Sequence, residues 1–455
     1  MSALSATTPG RAQVKRAGIW LGAVLSTTLL LLIVGAVAGR VRPAAPDSSP
    51  AGGVVAQPAV VSNGANVPAS IAVLQTRLRT LPNDWSAWAS LGALYTAQAR
   101  LSADPSYYGK ADGAFVTSLR IRPNGNPAAL TGQATLAASR HDFAGALALT
   151  ERAAGLDPYG STNLGVMVDA LIELGRYPQA FTTLQRMVDL KPGVASFTRV
   201  SYSYELRGDL AGARYGLQRA LEVAQSPGDK AFALQYLGEL AYNNGDLTTA
   251  AHEFSTGLRL DPAWVPLLAG RARVEAARGD TAAALRDWAD VTARLPQPTY
   301  LIEYADLLTS LGRTRQARTQ YAVVDATAKL FRAQHANVDV ELSLFHADHG
   351  HPAQAMAEAG AQIKQRDSIT VDDAYAWALH GAGRDRDALR YAKTANRLGT
   401  KNALFAYHRG VIEQALGHRA AAVTWYARSL KINPFFSPLL APKAKAALTT
   451  LHGRP

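Results

Sequence analysis

The residues best suited to chemistry crowd into one short stretch. Phe345-His346-Ala347-Asp348-His349-Gly350-His351 brings three imidazoles and a carboxylate within six positions, His346 to His351. Imidazole and carboxylate together suit Zn, Ni or Cu ions, and His346 and His349, three apart, share a face if a helix runs that far. His346, Asp348, His349 and His351 are therefore the candidate metal ligands. The ordinary alternative is a helix C-terminus, where an imidazole interacts favourably with the dipole. Elsewhere there is no Gly-rich phosphate loop ending in Gly-Lys-Ser/Thr, no Gly-x-Ser-x-Gly and no His-Glu-x-x-His. Zero cysteines among 455 residues exclude disulfides, zinc-thiolate sites and thiol catalysis. No cofactor and no enzymatic activity are expected.

The elements that position these side chains are set by a repeat. Gly175, Gly208, Gly245, Gly279, Gly312, Gly350, Gly383 and Gly417 follow one another at intervals of 33, 37, 34, 33, 38, 33 and 34 residues. Each has an alanine five residues on: Ala180, Ala213, Ala250, Ala284, Ala317, Ala355, Ala388 and Ala422. Eight such pairs at a nearly fixed period require a repeating structural unit. Lys230 to Pro262 shows what the spacing does. Phe232, Ala233, Leu234, Leu237, Gly238 and Ala241 put apolar and small groups on one helix face. Asn243-Asn244-Gly245-Asp246 stops that helix, with Gly245 able to turn left-handed and Asp246 able to cap the next. The second helix carries Ala250, Phe254 and Leu258 inward, and Asp261-Pro262 closes the unit. The alanine sits where two antiparallel helices converge, so its small side chain permits close backbone approach.

This pattern resembles the tetratricopeptide repeat, a helix-turn-helix unit of 34 residues with small residues at fixed places and a closing proline. Lys230 to Pro262 matches it through Leu237, Gly238, Gly245, Ala250, Phe254 and Pro262. Pro158 to Pro192 and Pro262 to Pro296 are each again 34 residues, and the last unit reads Gly417, Ala422, Tyr426, Pro434. Upstream, Trp88, Leu91, Gly92 and Tyr95 match a first helix, and Ala111, Phe115 and Pro123 a second, with about seven extra residues around Ser102 to Tyr108 looped out. Asp142, Phe143, Ala146, Ala153 and Pro158 mark a unit whose turn glycine is replaced by His141. The fold expected is an all-α solenoid of about ten such repeats over residues 69–434, with a capping helix and tail over 435–455 that starts at Ser437-Pro438.

Departures from the pattern predict local differences. The 38-residue spacing before Gly350, with no closing proline in Tyr321 to Ala336, predicts a longer helix. Arg271 and Glu275, where the family has bulky apolar residues, predict a displaced or re-registered first helix in that unit.

The first residues are of another composition. After a short tail, 1–16, the run 17–39 is uncharged and apolar for 23 residues, enough to cross a hydrocarbon core as a helix. Arg11, Lys15 and Arg16 precede it with no acidic residue, which predicts a single-pass membrane anchor with its N-terminus cytoplasmic and the repeats outside. The competing reading is a signal peptide cleaved near Ala38, giving a secreted chain. Residues 40–68, rich in Pro, Ala, Gly and Ser, read as a disordered tether.

Net charge is +12, yet the arginines are spread over repeat after repeat without an aromatic-and-basic stripe, so no nucleic-acid partner is expected. Arg207-Gly208-Asp209 looks like an adhesion tripeptide but occupies a repeat turn where Gly and Asp belong. In the resembling family the concave wall is lined by first-helix residues outside the packing positions. Carried over unit by unit, these are Asp169, Tyr202, Glu205, Phe232, Gln235, Glu239, Tyr242, Arg273, Asp306, Asp373, Trp377, His380 and Tyr407. Carboxylates outnumber basic groups among them, and exposed aromatics in a groove act as anchors. The Lys and Asn set with which some relatives clamp a C-terminal carboxylate is missing, so a basic or apolar peptide fits better. The leading expectation is a membrane-tethered scaffold for protein–protein interaction. A second is an envelope metal-handling protein using the histidine-rich turn, and a third a non-catalytic subunit that positions substrate for a membrane enzyme.

Overall fold

In the computed structural model of this chain, which describes residues 67–453, all eight repeat glycines adopt the left-handed backbone conformation, with φ between 72° and 84°. Glycine does so without the Cβ clash that other residues meet. His141, which stands in for glycine in its unit, is forced into the same region at φ 61°. The eight paired alanines are all buried.

Among the described residues every regular element is an α-helix, twenty-two in all. A leading helix α1 (Val67–Thr80) precedes ten helical hairpins. They are α2 (Trp85–Ser102) with α3 (Ser106–Ile121), α4 (Pro127–Ser139) with α5 (Phe143–Leu156), and α6 (Ser161–Glu173) with α7 (Tyr177–Leu190). Next come α8 (Val194–Arg207) with α9 (Leu210–Val223), α10 (Pro227–Asn243) with α11 (Leu247–Leu260), and α12 (Val265–Arg278) with α13 (Thr281–Arg294). The series ends with α14 (Pro298–Ser310) and α15 (Thr314–Ala333), α16 (Asp339–Asp348) and α17 (Pro352–Gln362), α18 (Ile369–Gly381) and α19 (Asp385–Ala395), and α20 (Ala403–Ala415) and α21 (Arg419–Ile432). A final helix, α22 (Leu440–His452), covers the last hairpin, and Ser437 Oγ accepts from the amides of Leu439 and Leu440 at its start. Asp142, Asp209, Asp246 and Asp280 cap second helices by accepting from the amide three residues on.

Neighbouring hairpins interlock through phenylalanine rings set between glycines. A Cβ on Gly238 would lie 2.5 Å from the Phe254 ring and one on Gly270, in the next unit, 2.3 Å from it. Phe115 is held in the same way between Gly92 and Gly132.

Three local expectations meet different outcomes. Helix α15 does run long, 20 residues, and the solenoid continues through it into α16. In α12 an ion pair stands at the position of the apolar contact: Arg271 donates twice to Asp287 of its own hairpin, at 2.6 and 3.0 Å. The extra residues of the first hairpin are not looped out. They lengthen α2 and α3 to 18 and 16 residues and bring the tip at Ala103 into the buried cluster that includes Leu268, Ala272 and Leu307 of the later units.

The solenoid closes on itself. The turn of each of the second to fifth hairpins meets the linker that follows the hairpin five units later. Asn337 N donates to Arg140 O, Arg366 to Glu173, Ile369 N to the Tyr177 hydroxyl, and Lys401 to Gly208 O. At the far end Tyr242 donates to Phe435 O, and Asn433 Nδ2 to Tyr242 O. Apart from the Asn337 amide, these pairs are separated by 191 to 193 residues, so the superhelix turns once in between five and six hairpins.

The expected location is corrected here. Among the described residues no helix is long and apolar enough to cross a membrane. The run 17–39, on which the anchor and the signal-peptide alternative both rested, and the tether 40–68 up to residue 66 lie outside the described residues.

Candidate functional site: an acidic cavity inside the closed superhelix

Closure turns the concave wall inward, and most first-helix side chains on it find partners one unit on. Arg199 makes a two-point contact with Asp169 at 2.8 and 2.6 Å, and Arg273 one with Glu303 at 2.6 and 2.8 Å. Trp264 Nε1 donates to Gln235 Oε1 at 2.7 Å, and Trp377 Nε1 to Asp348 Oδ1 at 2.9 Å. Gln235 in turn donates to Glu239. Phe232 packs edge-on against Tyr236 and Trp264.

Enclosure shifts the ionisable groups. Burial pushes Asp169 up to about 6 against the pull of Arg199, and pushes Glu205 up to about 8 with the charge of Glu239 adding to it. Burial also raises Glu239, Tyr202 and Tyr242. Arg273 moves the other way from what burial dictates, because Glu303 outweighs the lost hydration and raises it.

Farther along, Asp373 and His408 form a buried pair, Oδ2 to Nδ1 at 2.9 Å. Trp377 stacks on His408 at 4.1 Å and on His380 at 5.0 Å, while His380 Nδ1 meets Asp385. Tyr407 packs among Trp377, Tyr426 and Phe436.

The groups of the histidine-rich turn are mostly engaged with other neighbours. Helix α16 ends at Asp348, and His351 already begins the next helix. His346 Nδ1 contacts Glu358 at 2.7 Å, and Asp348 receives the Trp377 indole. His349 uses both nitrogens, on Phe345 O at 2.7 Å and on the Tyr321 hydroxyl at 2.9 Å, with Asp306 3.3 Å away. Burial would lower His349, but Asp306 outweighs it and raises it. His351 is exposed, its ring edge-on to His346. Among the described residues no three His, Cys, Asp or Glu side chains are arranged to hold a metal ion.

The wall lines a partly open cavity of about 480 Å³. Helices α10, α12, α14 and α16 line one part of it, and the segment from Asn433 to Lys445 another. Of the residues singled out in the sequence, Glu239, Tyr242, Arg273, Asp306 and Asp348 reach it. Asp169, Tyr202, Glu205, Asp373, Trp377, His380 and Tyr407 do not line it. Sequence reasoning missed Glu303, Glu341, Asn402, Phe435 and Phe436, which do. For Glu303 a signal exists: it stands 30 residues after Arg273, the same step that separates Asp169 from Arg199.

Helix order, turn geometry and wall chemistry together define an α-solenoid of tetratricopeptide-like hairpins closed around a ligand-sized cavity. No protein-family model matches the chain, and no curated protein does. Solved structures similar to it include a tetratricopeptide repeat protein from Parabacteroides merdae, 16% identical over 57% of this chain and 99% of that one, with a TM-score of 0.35. Yeast Tom70 is 13% identical over 85% of this chain and 96% of that one, TM-score 0.35. The human IFIT1 dimer with PPP-AAAA is 12% identical over 81% and 95%, TM-score 0.43. At such scores the architecture is defined by this chain's own helices.

Proposed function

We propose that the chain is a non-enzymic helical-repeat scaffold that binds a segment of a partner protein in the cavity inside its superhelix. The observation that carries this is the composition of the cavity wall. Phe345, Leu404, Phe435 and Phe436 offer apolar surface, while buried polar atoms, Asn402 Nδ2 and Glu341 Oε2, have no partner among the described residues. Buried polar groups are ordinarily satisfied, and a cavity that is mostly apolar with a few convergent polar groups is the usual form of a binding site. A cavity of about 480 Å³ accommodates a few side chains, which suits a peptide segment rather than a folded domain. The likeness to repeat proteins such as Tom70 is compatible with this reading and does not carry it.

The test is a photo-crosslinking amino acid placed at Leu311, which is partly exposed and borders the cavity. Irradiation in cells should join the chain reproducibly to a discrete polypeptide, with the crosslinked peptide contacting the cavity wall. The same group at Tyr159, exposed and away from the cavity, should not yield that adduct. Equal yields at both positions, or no polypeptide adduct at Leu311, would refute the reading.

A further inference from the structure

The charge of the cavity is opposite to that of the chain. Its lining includes Glu239, Glu303, Asp306, Glu341 and Asp348 against Arg273 and Lys445, in a protein of net charge +12. Arg273 is already spent in its two-point contact with Glu303. Asp306 accepts from the Tyr321 hydroxyl with His349 beside it, and Asp348 accepts from the Trp377 indole. Glu341 has one carboxylate oxygen buried with no hydrogen-bond partner among the described residues. Glu341 and Asp348 lie seven residues apart on α16, two turns along one helix face.

A second observation is independent of the carboxylates. Asn402 is 1% exposed and lines the same cavity, and its Oδ1 is fixed by accepting from the amides of Leu404 and Phe405 at 2.7 and 2.9 Å. That locks the side-chain amide and leaves its Nδ2 hydrogens buried and without a partner among the described residues. A fixed donor of this kind calls for a carbonyl oxygen.

We propose that the segment taken up by the cavity is a basic one: a lysine or arginine flanked by apolar residues. Its cation lies between Asp306 and Asp348, and a main-chain carbonyl accepts from Asn402 Nδ2. The proposal rests on the reading of the cavity as a partner-binding site and adds the chemistry of the partner. A lone cation lacks the carbonyl that Asn402 needs, an acidic segment adds like charge beside Asp306 and Asp348, and a wholly apolar one brings no counter-charge to them. Apolar flanks meet Phe345, Leu404 and Phe435. Burial raises Glu341 and Asp348, so the empty cavity bears a desolvation cost that an incoming cation offsets.

The experiment uses the full chain and a pentapeptide library with blocked ends, in which Leu, Ala and Phe are mixed around a central Lys, Arg, norleucine or Glu. Fluorescence anisotropy should give binding to the Lys and Arg pools about tenfold or more tighter than to the norleucine pool, a usual size for a close charge pair. The advantage should vanish in Asp306→Asn/Asp348→Asn, whose amide oxygens still accept from Tyr321 and Trp377. Equal affinity for the Lys and norleucine pools, preference for the Glu pool, or no binding by any pool overturns the proposal. If the double variant fails to fold by circular dichroism, the comparison of pools on the natural chain decides alone. A partner recovered by crosslinking at Leu311 that proves indifferent to basic residues would leave the scaffold reading standing and remove only its cationic partner.

Discussion

Arg366 and Glu173 lie 193 positions apart in sequence, yet the Arg366 guanidinium donates to Glu173 Oε2 at 2.6 Å with both side chains less than a tenth exposed. The guanidinium also lies over the ring of Phe143, 4.8 Å from its centre. One residue thus joins the eighth linker to the second and third hairpins, and that contact belongs to the seam that makes a tube of an open spiral.

Removing one partner of a buried pair strands the other. Arg366→Ala is expected to cost roughly 3–5 kcal/mol, while Glu173→Gln/Arg366→Met should recover much of it. Urea unfolding measures both. Small-angle scattering should show Arg366→Ala expanded relative to the natural chain, and an unchanged radius of gyration would detach this pair from closure.

Glu205 predicts a pH dependence with a definite sign. Burial and Glu239 hold its carboxyl at about 8, against 4.5 ordinarily, so the folded state keeps a proton that the unfolded chain has lost. Stability therefore falls as pH rises from 4.5 toward 8, and the penalty is absent below that window. Glu205→Gln should remove this fall, gaining on the order of a few kcal/mol at pH 8 and almost nothing at pH 4. Thermal melts across that range are the check, and parallel profiles for the two proteins would contradict the assignment.

His141 tests two effects at once. Its left-handed conformation costs roughly 1–2 kcal/mol that glycine would not incur, and its ring contact with Phe143 returns about 0.5–1.5 kcal/mol. Near pH 8 His141→Gly should therefore change stability little. Burial and the charge of Arg366 hold the imidazole at about 3, so the folded chain cannot take up the proton that the unfolded chain binds below 6.5. Stability through this group is lost as pH falls from 6.5 toward 3. At pH 5 the glycine variant should be the more stable by roughly 1–2 kcal/mol, read from melting temperatures.

Gly270→Ala should be more harmful than an ordinary helix Gly→Ala, which is favourable by propensity. The new methyl would meet the Phe254 ring at 2.3 Å, and that ring is fully buried with Gly238 against its other side. Overpacking of this kind costs roughly 1–3 kcal/mol. Chemical denaturation of Gly270→Ala beside Gly113→Ala, where a methyl meets open space, separates the two cases.

The hairpin order and its turns were legible because they rest on local chemistry: a left-handed glycine and a buried alanine recur in eight of the ten hairpins, and an Asp caps the second helix in four. The ten hairpins, and the long α15, follow from such signals. Closure was not legible, since contacts such as Lys401 to Gly208 O use a backbone carbonyl that any sequence supplies. For the same reason Tyr242, chosen as a groove aromatic, turns out to spend its hydroxyl on Phe435 O. In the histidine-rich turn, proximity in sequence did not reveal the partners: α16 ends between Asp348 and His349, and His346, Asp348 and His349 engage Glu358, Trp377 and Tyr321.

The near-constant offset of the seam has a consequence for how such a protein can change over generations. Open solenoids lengthen or shorten by whole-unit duplication and deletion, because each unit answers only to its neighbours. Here a unit gained or lost between the third and eighth hairpins would move every turn on one side of the seam out of step with its linker on the other. Glu173 would then face the linker that now serves Gly208 or Arg140 instead of Arg366. The register of the seam therefore weighs against gain or loss of a unit between these hairpins, while the wall lining can vary without disturbing it.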